Sequence, residues 1–238
     1  MKNLFRNPLS IILLLVMAVY ATSGGSFSDP LKWLSELAFR IPGLLIGITL
    51  HEFAHAKASD MLGDPTPRSQ GRLSINPLRH LEPVGLISLL LIGFGWGKPV
   101  QISPQYYKNV RRDSIIVGAA GVVTNLIVAF LFSGLTVLLN MLMGFRLNPW
   151  LLSILSGIVV INLSLMIFNL LPIPPLDGFN IVTEIFRLRR FNFWYTLYNY
   201  GFAILMVLIM LGITGRIMSP LLGQLYYGMF SLWAYIIY

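Results

Sequence analysis

Long apolar stretches separated by short polar ones run the length of this chain. Residues 8–21, 41–61, 114–143, 149–171, 193–213 and 219–238 are each dominated by large apolar side chains. A helix crossing the roughly 30 Å of bilayer hydrocarbon needs about 20 such residues, at about 1.5 Å of rise each. The first run falls short of that length and the others reach it. The pattern therefore predicts an all-α polytopic membrane protein with about six transmembrane helices. Residues 84–96 differ: the run is apolar, but it is 13 residues long and holds Gly85, Gly93 and Gly95. That segment reads as a membrane-inserted hairpin between helices 2 and 3, because non-helical backbone is tolerated at membrane depth where other protein covers it.

Composition narrows the class. Of the 238 residues 56% are hydrophobic and 11% charged, and the mean hydropathy is +0.75. Soluble domains carry roughly 25% charged residues, so this chain lacks the polar surface of a water-soluble globule. It is also far too apolar to stay disordered. The net charge of +8 reports loops rather than a nucleic-acid surface, since cytoplasmic loops collect Lys and Arg. With Lys2 and Arg6 inside, the cytoplasmic segments also hold Arg68, Arg72, Arg79, Lys98, Lys108, Arg111, Arg112, Arg187, Arg189 and Arg190. Lys32, Arg40, Arg146 and Arg216 stay outside, and Lys57 lies within the second run. Twelve against four places both termini in the cytoplasm of a multi-pass cell-membrane protein. Lys2, Arg6 and the apolar run before Ala21-Thr22-Ser23 also fit a cleavable signal peptide, although the charge count works with a retained helix. Neither repeats nor an appended soluble module stand out, so residues 1–238 read as one integral-membrane domain. With no cysteine in the chain, disulfides and thiolate metal ligands are excluded.

Ionisable groups inside apolar spans are costly and mark function. Most of the nine acidic residues sit in loops or at span ends; Glu52 and Asp177 do not. Glu52 belongs to His51-Glu52-Phe53-Ala54-His55, an HExxH pattern. On a helix His51 and His55 lie one turn apart on one face, so two imidazoles converge on one Zn²⁺, and Glu52 is placed as general base. The bland alternative is a pair of buried histidines hydrogen-bonded to neighbouring helices. From Arg40 to His51 the helix advances about 16 Å, which puts the site within the bilayer, slightly to the cytoplasmic side. Catalytic zinc takes a third protein ligand. Asp177, after the helix-breaking Pro172, Pro174 and Pro175, is the candidate, against an ordinary Asp-Gly turn; Glu184 and His80 are weaker rivals in loops. Asn125 follows the small-residue patch Gly118-Ala119-Ala120-Gly121, which permits close helix approach. It suits either an oxyanion or substrate contact or an interhelical hydrogen bond.

Together these motifs resemble the site-2 protease family of intramembrane zinc metalloproteases. Its HExxH is matched by His51, Glu52 and His55; its Asn-x-x-Pro…Asp-Gly by Asn169, Pro172, Asp177 and Gly178; its Gly-x-x-x-Asn by Gly121 and Asn125. The segments 71–80 and 95–100 also look like those of compact prokaryotic members, and the likeness covers residues 42–190 in order and spacing. Many relatives have proline where Val122 stands here. No PDZ-like or CBS-type insert fits in these loops. The resemblance implies one Zn²⁺ per chain held by His51, His55 and Asp177, with Glu52 as general base and Asn125 as a catalytic oxyanion or substrate-binding group. It implies transmembrane protein substrates met in the lipid bilayer, cleaved in or near their membrane segments. A catalytically silent zinc-binding scaffold or chaperone and a metal-ion transporter are the competing classes. Transport calls for several exchangeable polar positions along a path, whereas this sequence has one compact constellation.

Overall fold

The computed structural model describes residues 30–82 and 97–237, with side chains from Ser35 onwards. The first apolar run at 8–21, with its signal-peptide alternative, and the hairpin expected at 84–96 lie outside the described residues. Those residues form six principal helices: α1 (Pro30–Met61), α2 (Val110–Leu142), α3 (Pro149–Asn169), α4 (Asp177–Phe186), α5 (Asn192–Met210) and α6 (Ile213–Ile237). Their starts are written locally. Asn109 and Asn148 cap α2 and α3 by accepting from the backbone N–H of Arg112 and Trp150, and Pro149 sits at the first helical position of α3, where its missing N–H costs nothing. Arg187 ends α4 in the left-handed conformation, at φ 52°.

Among the described residues four helices are long and apolar enough to cross a membrane: 35–61 of α1, together with α2, α3 and α5. The last expected span, 219–238, is helical over 219–237 as part of α6, but Ser219, Gln224 and Ser231 lower its apolarity and α6 is not among the four.

The core is a three-helix bundle of α1, α2 and α3, with α6 packed on α2 and α3. Close approach of α1 and α3 depends on glycine. A Cβ at Gly43 would lie 3.0 Å from the Ile158 Cα, and one at Gly157 3.0 Å from the Phe39 carbonyl oxygen. The centre of the bundle is filled by Val122, Ala129, Val159, Leu163 and Met166. On the α6 side, the Trp233 ring lies tilted against Phe130, centroids 4.8 Å apart, and its indole N–H donates to the Phe130 carbonyl.

Helix α2 is inside-out relative to a soluble helix. Its buried face, at helical spacing, is Val117, Gly121, Asn125, Val128 and Ala129. Its exposed face carries Val123, Ile127, Leu131, Leu135 and Leu138. Large apolar groups outside and small or polar ones inside are what a lipid solvent selects.

Between α1 and α2 a polar loop is organised around two buried charges. Asp64, fully enclosed, accepts from the Ser59 hydroxyl and from the backbone N–H groups of Thr66 and Ser103. The Arg72 guanidinium donates to the carbonyls of Arg79 and Lys98, clamping two segments that also meet in an antiparallel bridge between Leu81 and Gly97.

Candidate metal centre

Two helices bring three potential ligand atoms to one point. His51 and His55 project from α1 one turn apart; Asp177 opens α4, after the proline-bearing segment that follows α3. Gly178 makes this turn possible, since a Cβ there would stand 2.2 Å from the Leu170 carbonyl oxygen. Pro174 in turn is seated against Gly201 of α5, where a Cβ would come within 2.4 Å of it. The two His Nε2 atoms are 3.1 Å apart, and the Asp177 Oδ2 lies 3.1 Å from that of His51 and 3.2 Å from that of His55. Among the described residues this is the one group of His and acidic side chains arranged to hold a metal ion.

The protonation states follow from the far side of each ring. His55 Nδ1 lies 2.7 Å from the Val117 carbonyl oxygen, which accepts and cannot donate. Its Nδ1 therefore carries a hydrogen, and in the neutral ring its Nε2 presents a lone pair. His51 Nδ1 faces the Asn125 Oδ1 at 2.8 Å, which leads to the same state. With both rings neutral, two imidazole lone pairs and a carboxylate oxygen meet with no donor between them, and the only polar atoms facing the buried Asp177 Oδ2 among the described residues are the two Nε2 atoms. A cation resolves this. The triangle edges of 3.1–3.2 Å are close to the roughly 3.3 Å separating ligands that sit about 2.0–2.1 Å from a tetrahedral Zn²⁺, and two His with one carboxylate is a catalytic-zinc donor set. The residues fit the metal.

Gly121 lets α2 pass behind the pair: a Cβ there would lie 2.4 Å from the His55 Nε2 and 2.7 Å from the His51 Cε1. Glu52 turns toward the loop segment 97–100. Its Oε2 accepts from the Val100 backbone N–H at 2.9 Å, and the Arg72 guanidinium lies 3.9 Å away. Asn125, 1% exposed, has its amide engaged on both sides, by His51 through Oδ1 and by the Asn162 Oδ1 through Nδ2 at 3.3 Å. The weaker ligand candidates lie elsewhere: Glu184 pairs with Arg189 at 2.8 Å and His80 Nε2 contacts the Ser74 carbonyl.

Two further contributors escaped the sequence reading. Asn162 was findable, being an amide inside an apolar span like Asn125. The Val117 carbonyl was not, because every residue has one.

Residues 146–210 match peptidase family M50. The chain is 35% identical over 195 residues to "Putative zinc metalloprotease YwhC" of Bacillus subtilis, covering 80% of this chain and 88% of the relative. It is 31% identical over 214 residues to "Putative zinc metalloprotease Rip2" of Mycolicibacterium smegmatis, with 84% and 80% covered. A Mycobacterium tuberculosis protein of the same name is 30% identical over 164 residues, with 65% and 60% covered. No solved structure matches the chain.

Proposed function

Because this chain belongs to peptidase family M50, the site-2 proteases, we propose that it is an intramembrane zinc metalloprotease hydrolysing peptide bonds in or near transmembrane segments of membrane proteins. The observation that carries this reading is the convergence of three potential ligand atoms, from His51, His55 and Asp177, within 3.1–3.2 Å of one another, with the outer nitrogen of each ring held by an acceptor.

In this reading His51, His55 and Asp177 hold one Zn²⁺. The bound ion supplies Lewis acidity, polarising the scissile carbonyl and acidifying water. Glu52 takes the proton from the attacking water and passes it to the leaving amine. The Val100 N–H and the nearby Arg72 guanidinium support Glu52 as a carboxylate turned one way. Burial of the histidines excludes bulk water from the reacting groups. A helical peptide bond is shielded by its own hydrogen bonds, so the substrate has to unwind before attack.

Charge distribution supports a six-span arrangement with both termini cytoplasmic, which puts the metal centre toward the cytoplasm. The test is Glu52→Gln. It keeps the ligand set, so the purified variant should retain zinc while cleavage of a co-expressed membrane substrate falls to background. Undiminished cleavage by that variant overturns the assignment.

A further inference from the structure

The two histidines owe their ring polarity to different devices. For His55 a backbone carbonyl, that of Val117, accepts the Nδ1 hydrogen directly. For His51 the acceptor is the Asn125 side-chain amide, and an amide can face either way. With its carbonyl toward His51, Asn125 puts the hydrogen on Nδ1 and leaves Nε2 free to ligate. Turned over, its NH₂ would donate to Nδ1, the hydrogen would move to Nε2, and that atom could no longer bind a metal. Something must fix the amide.

The next groups along the chain of contacts do so. Asn162 is fully buried on α3 and donates its Nδ2–H to the Ile158 carbonyl at 2.9 Å. A carbonyl only accepts, so Asn162 must turn its NH₂ there and its Oδ1 the other way. That Oδ1 meets the Asn125 Nδ2 at 3.3 Å, which turns the Asn125 carbonyl to His51. Polarity runs in one sense from the α3 backbone, through two amides on two helices, to the ligating nitrogen.

We infer that Asn162 is a positioning residue for the metal centre: it orients Asn125 and so fixes the His51 tautomer that leaves Nε2 open to zinc. The inference rests on the zinc reading of His51, His55 and Asp177. Residues around a ligand's far nitrogen typically change metal affinity by 10–100-fold.

Two measurements on the full-length protein in detergent test it. The first is zinc affinity by chelator competition in a double-mutant cycle. Asn162→Leu and Asn125→Leu should each weaken binding about tenfold or more, and the double variant should be no weaker than Asn125→Leu alone. Asn162→Asp, which protonated in this buried site keeps both the acceptor and the donor, should restore affinity to within about threefold of the original. The second is the ¹⁵N spectrum of the metal-free protein labelled at its three histidines. His51 should be Nδ1-protonated in the unaltered chain and a mixture of tautomers in Asn162→Leu, with His55 unchanged. If Asn162→Leu does not fold, the Asn162→Asp and Asn125→Leu spectra carry the comparison: the first should match the original and the second should be mixed. Unaltered affinity and a single His51 tautomer in Asn162→Leu overturn the inference, as do additive losses in the cycle or, where that variant does not fold, a mixed His51 spectrum in Asn162→Asp. If the unaltered protein binds no zinc, it is the metal reading that fails.

Discussion

His51 and His55 are oriented as metal ligands would be, because their outer nitrogens are already spent on acceptors, Asn125 and the Val117 carbonyl. Such contacts fix ring orientation before a metal arrives, which lowers the ordering needed on binding. Their closeness to α2 depends on a missing side chain. A methyl at Gly121 would overlap the His55 Nε2 and the His51 ring at 2.4–2.8 Å, and two buried rings on one rigid helix have little room to yield. Gly121→Ala should therefore lower bound zinc by at least about tenfold, measured by metal analysis of the purified protein, while the helical signal persists. Full zinc content in that variant would mean that α2 can back away without disturbing the pair.

At the level of elements, the segment between α3 and α4 and the loop between α1 and α2 do the positioning. The turn that delivers Asp177 has no space for a side chain at Gly178, where the obstacle is the Leu170 backbone. Gly178→Ala should cost about 2–4 kcal/mol and shift Asp177 away from the histidines, read as a lower unfolding temperature together with lost zinc. In the loop, burial pushes the Asp64 pKa up, but hydrogen bonds from Thr66, Ser103 and Ser59 more than offset this and hold it below the ordinary carboxylate value. A carboxyl whose pKa is depressed on folding adds stability that is complete above its unfolded pKa of about 4 and is lost as pH falls through the folded value. Thermal unfolding temperature should thus decline as pH is lowered below about 4, and Asp64→Asn should flatten that decline while lowering stability at neutral pH.

On the scale of the molecule, the exposed surface of α2 is a stripe of Val, Ile and Leu, while the face it turns inward is largely of small and polar groups, an arrangement suited to lipid. The charge distribution makes orientation testable. Since the chain has no cysteine, single introduced thiols report their side without background. Gln70→Cys, in the α1–α2 loop, should react with a membrane-impermeant maleimide only after cells are permeabilised. Met143→Cys, 59% exposed just beyond α2, should react in intact cells. The reverse pattern would invert the topology. Much of this protein was legible in its sequence, for a physical reason: apolar run length reads out helix existence, and ionisable groups too costly to bury by accident mark the site. Hence the helices at 149–169 and 192–210 start within a residue of their apolar runs, and Glu52 between two histidines stood out at once. The third ligand candidate did not follow from spacing alone, because Asp177 is 122 residues from His55 in sequence and reaches it through a backbone turn no periodicity encodes. Which nitrogen of each histidine faces an acceptor was out of reach of the sequence altogether. It is decided by the backbone carbonyls of Val117 and Ile158, groups common to every residue, which acquire meaning only when tertiary packing sets them opposite a ring or an amide that can donate.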